Sequence, residues 1–155
     1  MNRIVDLIVI HCSASREDKD YTFEQCIKDH AARGFKGCGY HRFIRKDGTV
    51  HIGRNFDYGG AHVQGYNAKS IGICYEGGCD KKMKGKDTRT DAQKEAIIQV
   101  IKEAIAYGEG NIKRICGHRD LSPDLNGNGI VEATEWVKVC PSFNAEMEYK
   151  YLLKE

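Results

Sequence analysis

Apolar and polar positions alternate along this chain in two distinct rhythms. Ile4 to Ile10 is a nearly continuous aliphatic run, rich in β-branched residues and interrupted only by Asp6. It predicts a central strand buried on both faces. His11 follows directly, at the strand end where open α/β sheets commonly gather their sites. Ser70 to Tyr75 (SIGICY) repeats the buried-strand pattern. Between them, Thr22-Phe-Glu-Gln25 opens a helix with a capping-box pattern, and Phe23, Cys26, Ile27 and His30 share one face until Gly34. Tyr40 to Arg45 and Thr49 to Ile52 read as a hairpin turned at Asp47-Gly48. A second capping box, Thr90 to Gln93, opens the longest helix, whose apolar stripe is Ala92, Ala96, Ile97, Val100, Ile101, Ala104 and Ile105. Gly108 and Gly110 close it. Ile112 to Cys116 predicts a short strand that delivers His118 to its far end, and Phe143 to Leu153 a C-terminal helix.

The elements alternate around one mostly buried sheet. The expected class is therefore α/β, with a central mixed β-sheet flanked by α-helices in a single domain over residues 1–155. Residues 53–69, rich in Gly, Asn and His, lack a sustained period and read as a long functional loop. The stretch 79–89 reads as a charged, solvated surface loop. No internal repeat or linker interrupts the chain.

Composition narrows the partners. Among 155 residues, 24 Lys and Arg face 22 Asp and Glu, so no broad field favours nucleic acid or an anionic membrane. The N-terminal apolar run is too short and too polar for a secretory core or a membrane span, which points to synthesis in the cytoplasm without a signal peptide. Seven scattered cysteines, with no C-x-x-C pair, read as mostly reduced and buried, with one or more left to bind a metal.

His11 and His118 both follow strand patterns, and two strand ends of one sheet can bring them together. A catalytic zinc takes three protein ligands and keeps a fourth position open. Cys140 is a candidate third. Each residue alone has a plain structural alternative, a hydrogen-bonded strand-end histidine or a packed cysteine, and no short signature such as His-Glu-x-x-His is present.

The ordered segments IVIHCSAS, GYHRFIRKDGTVHIGR, GAHVQGYNAKSIGICYEGG, TDAQ, GHRDL and KVCPSF resemble the zinc-dependent N-acetylmuramoyl-L-alanine amidases, the superfamily of phage lysozymes and peptidoglycan recognition proteins. The likeness runs from about Ile4 to Phe143. It implies zinc ligands His11, His118 and Cys140, catalytic Tyr40 and Lys138, and substrate-binding His62 and Asn67. It implies hydrolysis of the amide between the lactyl group of N-acetylmuramic acid and L-alanine in peptidoglycan. A monomer without membrane insertion is expected, acting on the cell wall after release or export, as a phage or prophage endolysin or as a secreted effector with its own export route. For the general base, Glu76 after the SIGICY strand and Tyr40 both stand as candidates. The alternative is a non-catalytic peptidoglycan-binding domain; binding-only relatives typically lack the cysteine, so Cys140 argues against it. A regulatory interaction protein is a third reading that nothing in the sequence tests.

The segment between His118 and Cys140 departs from the shortest relatives. Residues 124–135, DLNGNGIVEATE, fit a calcium-loop pattern in which Asp124, Asn126, Asn128, the Ile130 carbonyl and Glu135 supply oxygens. Only two of those side chains are carboxylates and no second such loop exists. The other reading is a Gly/Asn-rich turn capping a short helix from Ala133 to Val137.

Overall fold

The computed structural model describes residues 3–122, 125, 131 and 139–154. The calcium-loop residues Asp124, Asn126, Asn128, Ile130 and Glu135, the helix expected over 133–137 and the catalytic candidate Lys138 all lie outside the described residues.

A five-stranded mixed sheet forms the centre. Its strands are β1 (Leu7–Cys12), β3 (Arg42–Ile44), β4 (Val50–Ile52), β5 (Ser70–Tyr75) and β7 (Arg114–Gly117), in the order β4-β3-β5-β1-β7. β1 pairs in parallel with β5 on one side and β7 on the other; β3 is parallel to β5, and β4 is antiparallel to β3. β2 (Ser15–Arg16) and β6 (Gly78–Cys79) form a separate two-stranded parallel ribbon. The helices are α1 (Phe23–Ala32), α2 (Asp91–Tyr107) and α3 (Ala145–Tyr149), the last continuing as a 3₁₀ turn over Lys150–Lys154.

The period-two alternation of β1 sorts its side chains. Ile8, Ile10 and Cys12 join Ile71, Ile73 and Tyr75 of β5 in the main core under Ile97, Val100, Ile101 and Ala104 of α2 and Ala145 and Tyr149 of α3. Leu7, Val9 and His11 point to the opposite face, where Leu7 and Val9 pack with Val63 and Cys116. On that same face Cys26 of α1 packs with Phe43 and Cys74. α2 and α3 therefore close one side of the sheet, while α1 and the long 53–69 loop frame the other.

The hairpin turns as expected: Gly48 adopts φ +88, a conformation costly for residues with a Cβ, and Arg45 N–H donates to Thr49 O at 2.9 Å. α2 starts with the expected capping box. Gln93 N–H donates to Thr90 Oγ1 at 3.1 Å and Thr90 N–H to Gln93 Oε1 at 3.0 Å. Thr90→Ala removes one half of this box and is expected to lower stability by about 1 kcal/mol. A denaturant melt showing no loss would refute the role given to the cap.

Three expectations need correction. The first strand spans Leu7–Cys12 rather than Ile4 to Ile10; Ile4 is exposed, and the ladder carries on through His11, whose ring is covered despite its polarity. The hairpin's first strand is confined to Arg42–Ile44, so Tyr40 precedes it. The 79–89 stretch is not wholly solvated. Arg89 is buried, paired with Asp87 and Glu148, bonded to Tyr149 Oη at 2.7 Å and stacked over the Phe143 ring.

Candidate metal centre and groove

Register places the first two site residues side by side. Ile10 is level with Gly117 in the β1–β7 pair, so His11 and His118 lie one step beyond that rung. Their ring centroids are 4.8 Å apart. His118 begins a 3₁₀ turn over His118–Leu121, and the Asp120 carboxylate caps its start by accepting Gly117 N–H at 2.8 Å.

Cys140 comes from far along the chain. Tyr75 Oη donates to Pro141 O at 2.6 Å and Arg119 N–H to Cys140 O at 2.9 Å, anchoring the segment from two strands' ends. Cys12 N–H then donates to Cys140 Sγ at 3.1 Å across 128 positions of sequence. Ligand atoms of His11, His118 and Cys140 all lie within 4.8 Å of one another. A tetrahedral zinc with bonds of about 2.0–2.3 Å separates its ligands by about 3.3–3.8 Å, so a small closure of side chains suffices. The donor set suits such an ion: two imidazoles and a thiol of borderline softness. Burial, then the neighbouring Cys12 thiol, pushes the Cys140 thiol well above its ordinary range, a cost that a coordinated cation reverses by favouring thiolate.

Behind His11 stands His62. His11 Nε2 and His62 Nδ1 are 2.8 Å apart, and His62 Nε2 lies 3.0 Å from Ser70 Oγ. Burial holds the His62 pKa well below the histidine range, with His41, His118 and two arginines adding in the same sense. The ring is therefore neutral and carries one N–H. Gly72 of β5 makes room for it, because a Cβ there would sit 2.7 Å from the His62 ring. Asn67 Oδ1 accepts both His62 N–H and Val63 N–H at 2.9 Å, fixing the loop that carries His62.

The cluster sits in a groove of about 850 Å³. Tyr40, His62 and Asn67 line it beside His11, His118 and Cys140, together with His30, Arg33 and Phe35 from α1 and the turn after it. The Tyr40 ring is 5.0 Å from that of His11, and burial raises its phenol well above the usual tyrosine value, so it stays a neutral O–H donor. Sequence reasoning named His11, Tyr40, His62, Asn67, His118 and Cys140, and these six line one groove, while its candidate Glu76 lies apart. It missed the His11–His62 bond, Ser70 and Gly72, and the groove-lining Arg33 and Phe35. The only signal for the last two was their position just past a helix whose face ends at His30.

Glu76 is not in this constellation. Fully buried, it accepts Arg45 Nε–H at 2.7 Å, Tyr21 N–H at 2.6 Å and Lys46 N–H at 3.0 Å, and it does not line the groove. Its carboxylate ties the β3–β4 hairpin to the segment before α1.

An α/β sheet with two histidines and a cysteine gathered at the floor of a substrate-sized groove belongs to the hydrolytic enzymes. Residues 1–141 match the N-acetylmuramoyl-L-alanine amidase family, and the chain is a member of it. The endolysin of Klebsiella phage KP32 is 34% identical over 137 residues, covering 88% of this chain and 80% of its own. Among solved structures, the N-acetylmuramoyl-L-alanine amidase LysC from Clostridium intestinale superposes with a TM-score of 0.72 at 28% identity, over 99% of this chain and 87% of that one. The bumblebee peptidoglycan recognition protein SA shares the fold, with a TM-score of 0.69 at 22% identity over 94% and 80% of the two chains.

Proposed function

We propose that this chain is a zinc-dependent hydrolase of the amide bond between the lactyl group of N-acetylmuramic acid and L-alanine in peptidoglycan. The observation that carries the reading is the convergence of His11, His118 and Cys140 within 4.8 Å under a groove that also presents Tyr40. These three residues would hold the zinc. What zinc supplies when bound by such a set is Lewis acidity, which lowers the pKa of water and polarises an amide carbonyl.

The protein's own groups do the rest. With His11 Nε2 engaged by His62, Nδ1 is the nitrogen His11 would offer the cation, and the neutral His62 ring fixes that tautomer, as outer partners of metal-bound histidines commonly do. Cys12 N–H orients the Cys140 sulfur. The Tyr40 phenol donates a hydrogen bond to the amide oxygen as it gains negative charge, an interaction worth a few kcal/mol in the transition state. By its resemblance, Lys138 supplies a second positive donor, and His62 and Asn67 also border the bound substrate.

The direct test is mass spectrometry of the fragments released from purified peptidoglycan, with and without a chelator. Free stem peptides beginning at L-alanine, lost on chelation and restored by zinc, are expected. Intact muropeptides with protein bound to the wall would instead mean a recognition domain. Tyr40→Phe is expected to lower kcat about 100-fold with zinc content unchanged, and Lys138→Ala to lower turnover while retaining zinc. Full activity in both variants would remove these residues from the mechanism.

The surroundings of the reaction form part of the same proposal. Peptidoglycan is the partner, the working form is a monomer, and the enzyme reaches the wall after release or export. Among the described residues no helix is long and apolar enough to cross a membrane. For the 124–135 segment, calcium binding predicts that Asp124→Ala lowers the melting temperature only when calcium is present. Equal melting with and without calcium would leave the capped turn.

A further inference from the structure

A second cluster of thiols and imidazole lies outside the metal centre. Cys26 and His30, four apart on α1, share the helix face turned to the sheet, and Cys38 meets them from the segment that leads to Tyr40. Cys26 Sγ is 3.8 Å from Cys38 Sγ and 4.0 Å from His30 Nε2. All three residues are buried, at 1%, 4% and 3% exposure for Cys26, Cys38 and His30. Yet His30 also lines the groove, so the cluster adjoins the groove wall.

The hydrogen bonding decides what this cluster can do. Gly39 N–H donates to His30 Nδ1 at 2.7 Å. That nitrogen must therefore carry the lone pair, and in the neutral ring the proton sits on Nε2, the nitrogen facing the sulfurs. A metal would need a lone pair on Nε2, which this tautomer does not offer. An N–H aimed at sulfur instead favours a thiolate. The Cys38 thiol is drawn down, first by its contact with Cys26 and then by His30, whereas the same contact and burial raise Cys26. Two sulfurs 3.8 Å apart need only a small approach to join, and the one with more thiolate character attacks first.

We propose that Cys26 and Cys38 are a modification site at which a peroxide drives formation of an intramolecular disulfide, clamping α1 to the segment that presents Tyr40. The Cys38 thiolate attacks one peroxide oxygen; the O–O bond breaks, an S–OH group forms, and the departing hydroxide takes a proton to become water. The Cys26 thiol then displaces the hydroxyl from Cys38 sulfur, its own proton leaving with that hydroxyl as a second water. Two thiols are oxidised by two electrons and one peroxide is reduced to two waters. The clamp closes a loop of twelve positions in sequence, which restricts the unfolded chain. The inference goes beyond the amidase reading and does not depend on it.

The experiment treats the zinc-loaded protein with hydrogen peroxide, alkylates the remaining thiols and digests with trypsin. Cys26 and Cys38 fall in separate peptides, residues 20–28 and 37–42, each with one cysteine. A linked pair of these peptides, released by reductant, is expected, together with a melting midpoint raised by about 5 °C over the reduced protein. In Cys26→Ser the link is lost and Cys38 is expected to carry added oxygen. Recovery of both peptides unlinked, after peroxide has oxidised other thiols, would overturn the proposal. So would a linked pair with no rise in midpoint, which would reject the clamp, or a second tightly held zinc lost in Cys38→Ser but kept in Cys140→Ser, which would make the cluster a metal site.

Discussion

Replacing Cys140 with Ser is expected to lower amidase turnover by on the order of a thousandfold and to leave the purified chain without stoichiometric zinc. The substitution changes one atom, so its effect on packing is small. The Tyr75 Oη to Pro141 O bond and the Arg119 N–H to Cys140 O bond both use backbone oxygens and survive it. What is lost is the sulfur that would serve, once ionised, as the soft anionic ligand of the proposed site, and that Cys12 N–H already orients. A serine hydroxyl ionises far less readily and cannot replace it. Cys79→Ser, outside the groove, is the matched control and is expected to keep both zinc and turnover. Metal analysis and kcat/KM on the two variants decide the matter: a Cys140→Ser protein that binds zinc and turns over like the parent would end the site assignment.

Glu76→Ala is expected to cost about 3 kcal/mol of folding stability while leaving turnover per folded molecule unchanged. The carboxylate is fully buried and accepts three hydrogen bonds, from one guanidinium and two backbone amides. Removing it takes the acceptor away from two part-buried backbone N–H groups and from the Arg45 guanidinium. The Arg45 side chain keeps partial exposure, which holds the cost below that of a fully enclosed orphan charge. A chemical-denaturation curve measures the first half of the expectation, and assay of the folded fraction the second. A large loss of turnover at full folding would return Glu76 to the role of general base.

These two residues also show how far the sequence could be read. Period and caps were sufficient for α2, because Thr90 and Gln93 are local signals and the stripe from Ile97 to Ala104 repeats with the helix. They were sufficient for SIGICY, whose bounds match β5. The candidate ligands His11, His118 and Cys140 were legible once motif order was added to strand ends, and register alone brings His118 beside His11. Glu76 was not legible. Its place after a buried strand is the same whether it serves catalysis or an ion pair, and the partner Arg45 is 31 positions away. Arg89 misled for a similar reason: within a lysine-rich stretch it looks solvated, and only Glu148, 59 positions on, shows why it is buried. The end of β1 was missed because the polar His11 was taken to end the apolar run, whereas the ladder continues through it and the His62 bond satisfies its ring. What a sequence hides here is the long-range partner that makes a polar residue stable inside.

The span between the proposed metal ligands bears on how the molecule comes into being. Chains emerge from the ribosome N-terminus first, and β1, made early, waits unpaired for β5 and then β7 before its ladder is complete. Cys140 is translated later still and reaches the thiol-binding amide of Cys12 only across nearly the whole polypeptide. A nascent or prematurely terminated product that stops before it holds two imidazoles and no thiolate. With the proposed ligand set, competence for hydrolysis is reserved for polypeptides whose synthesis has run past Cys140.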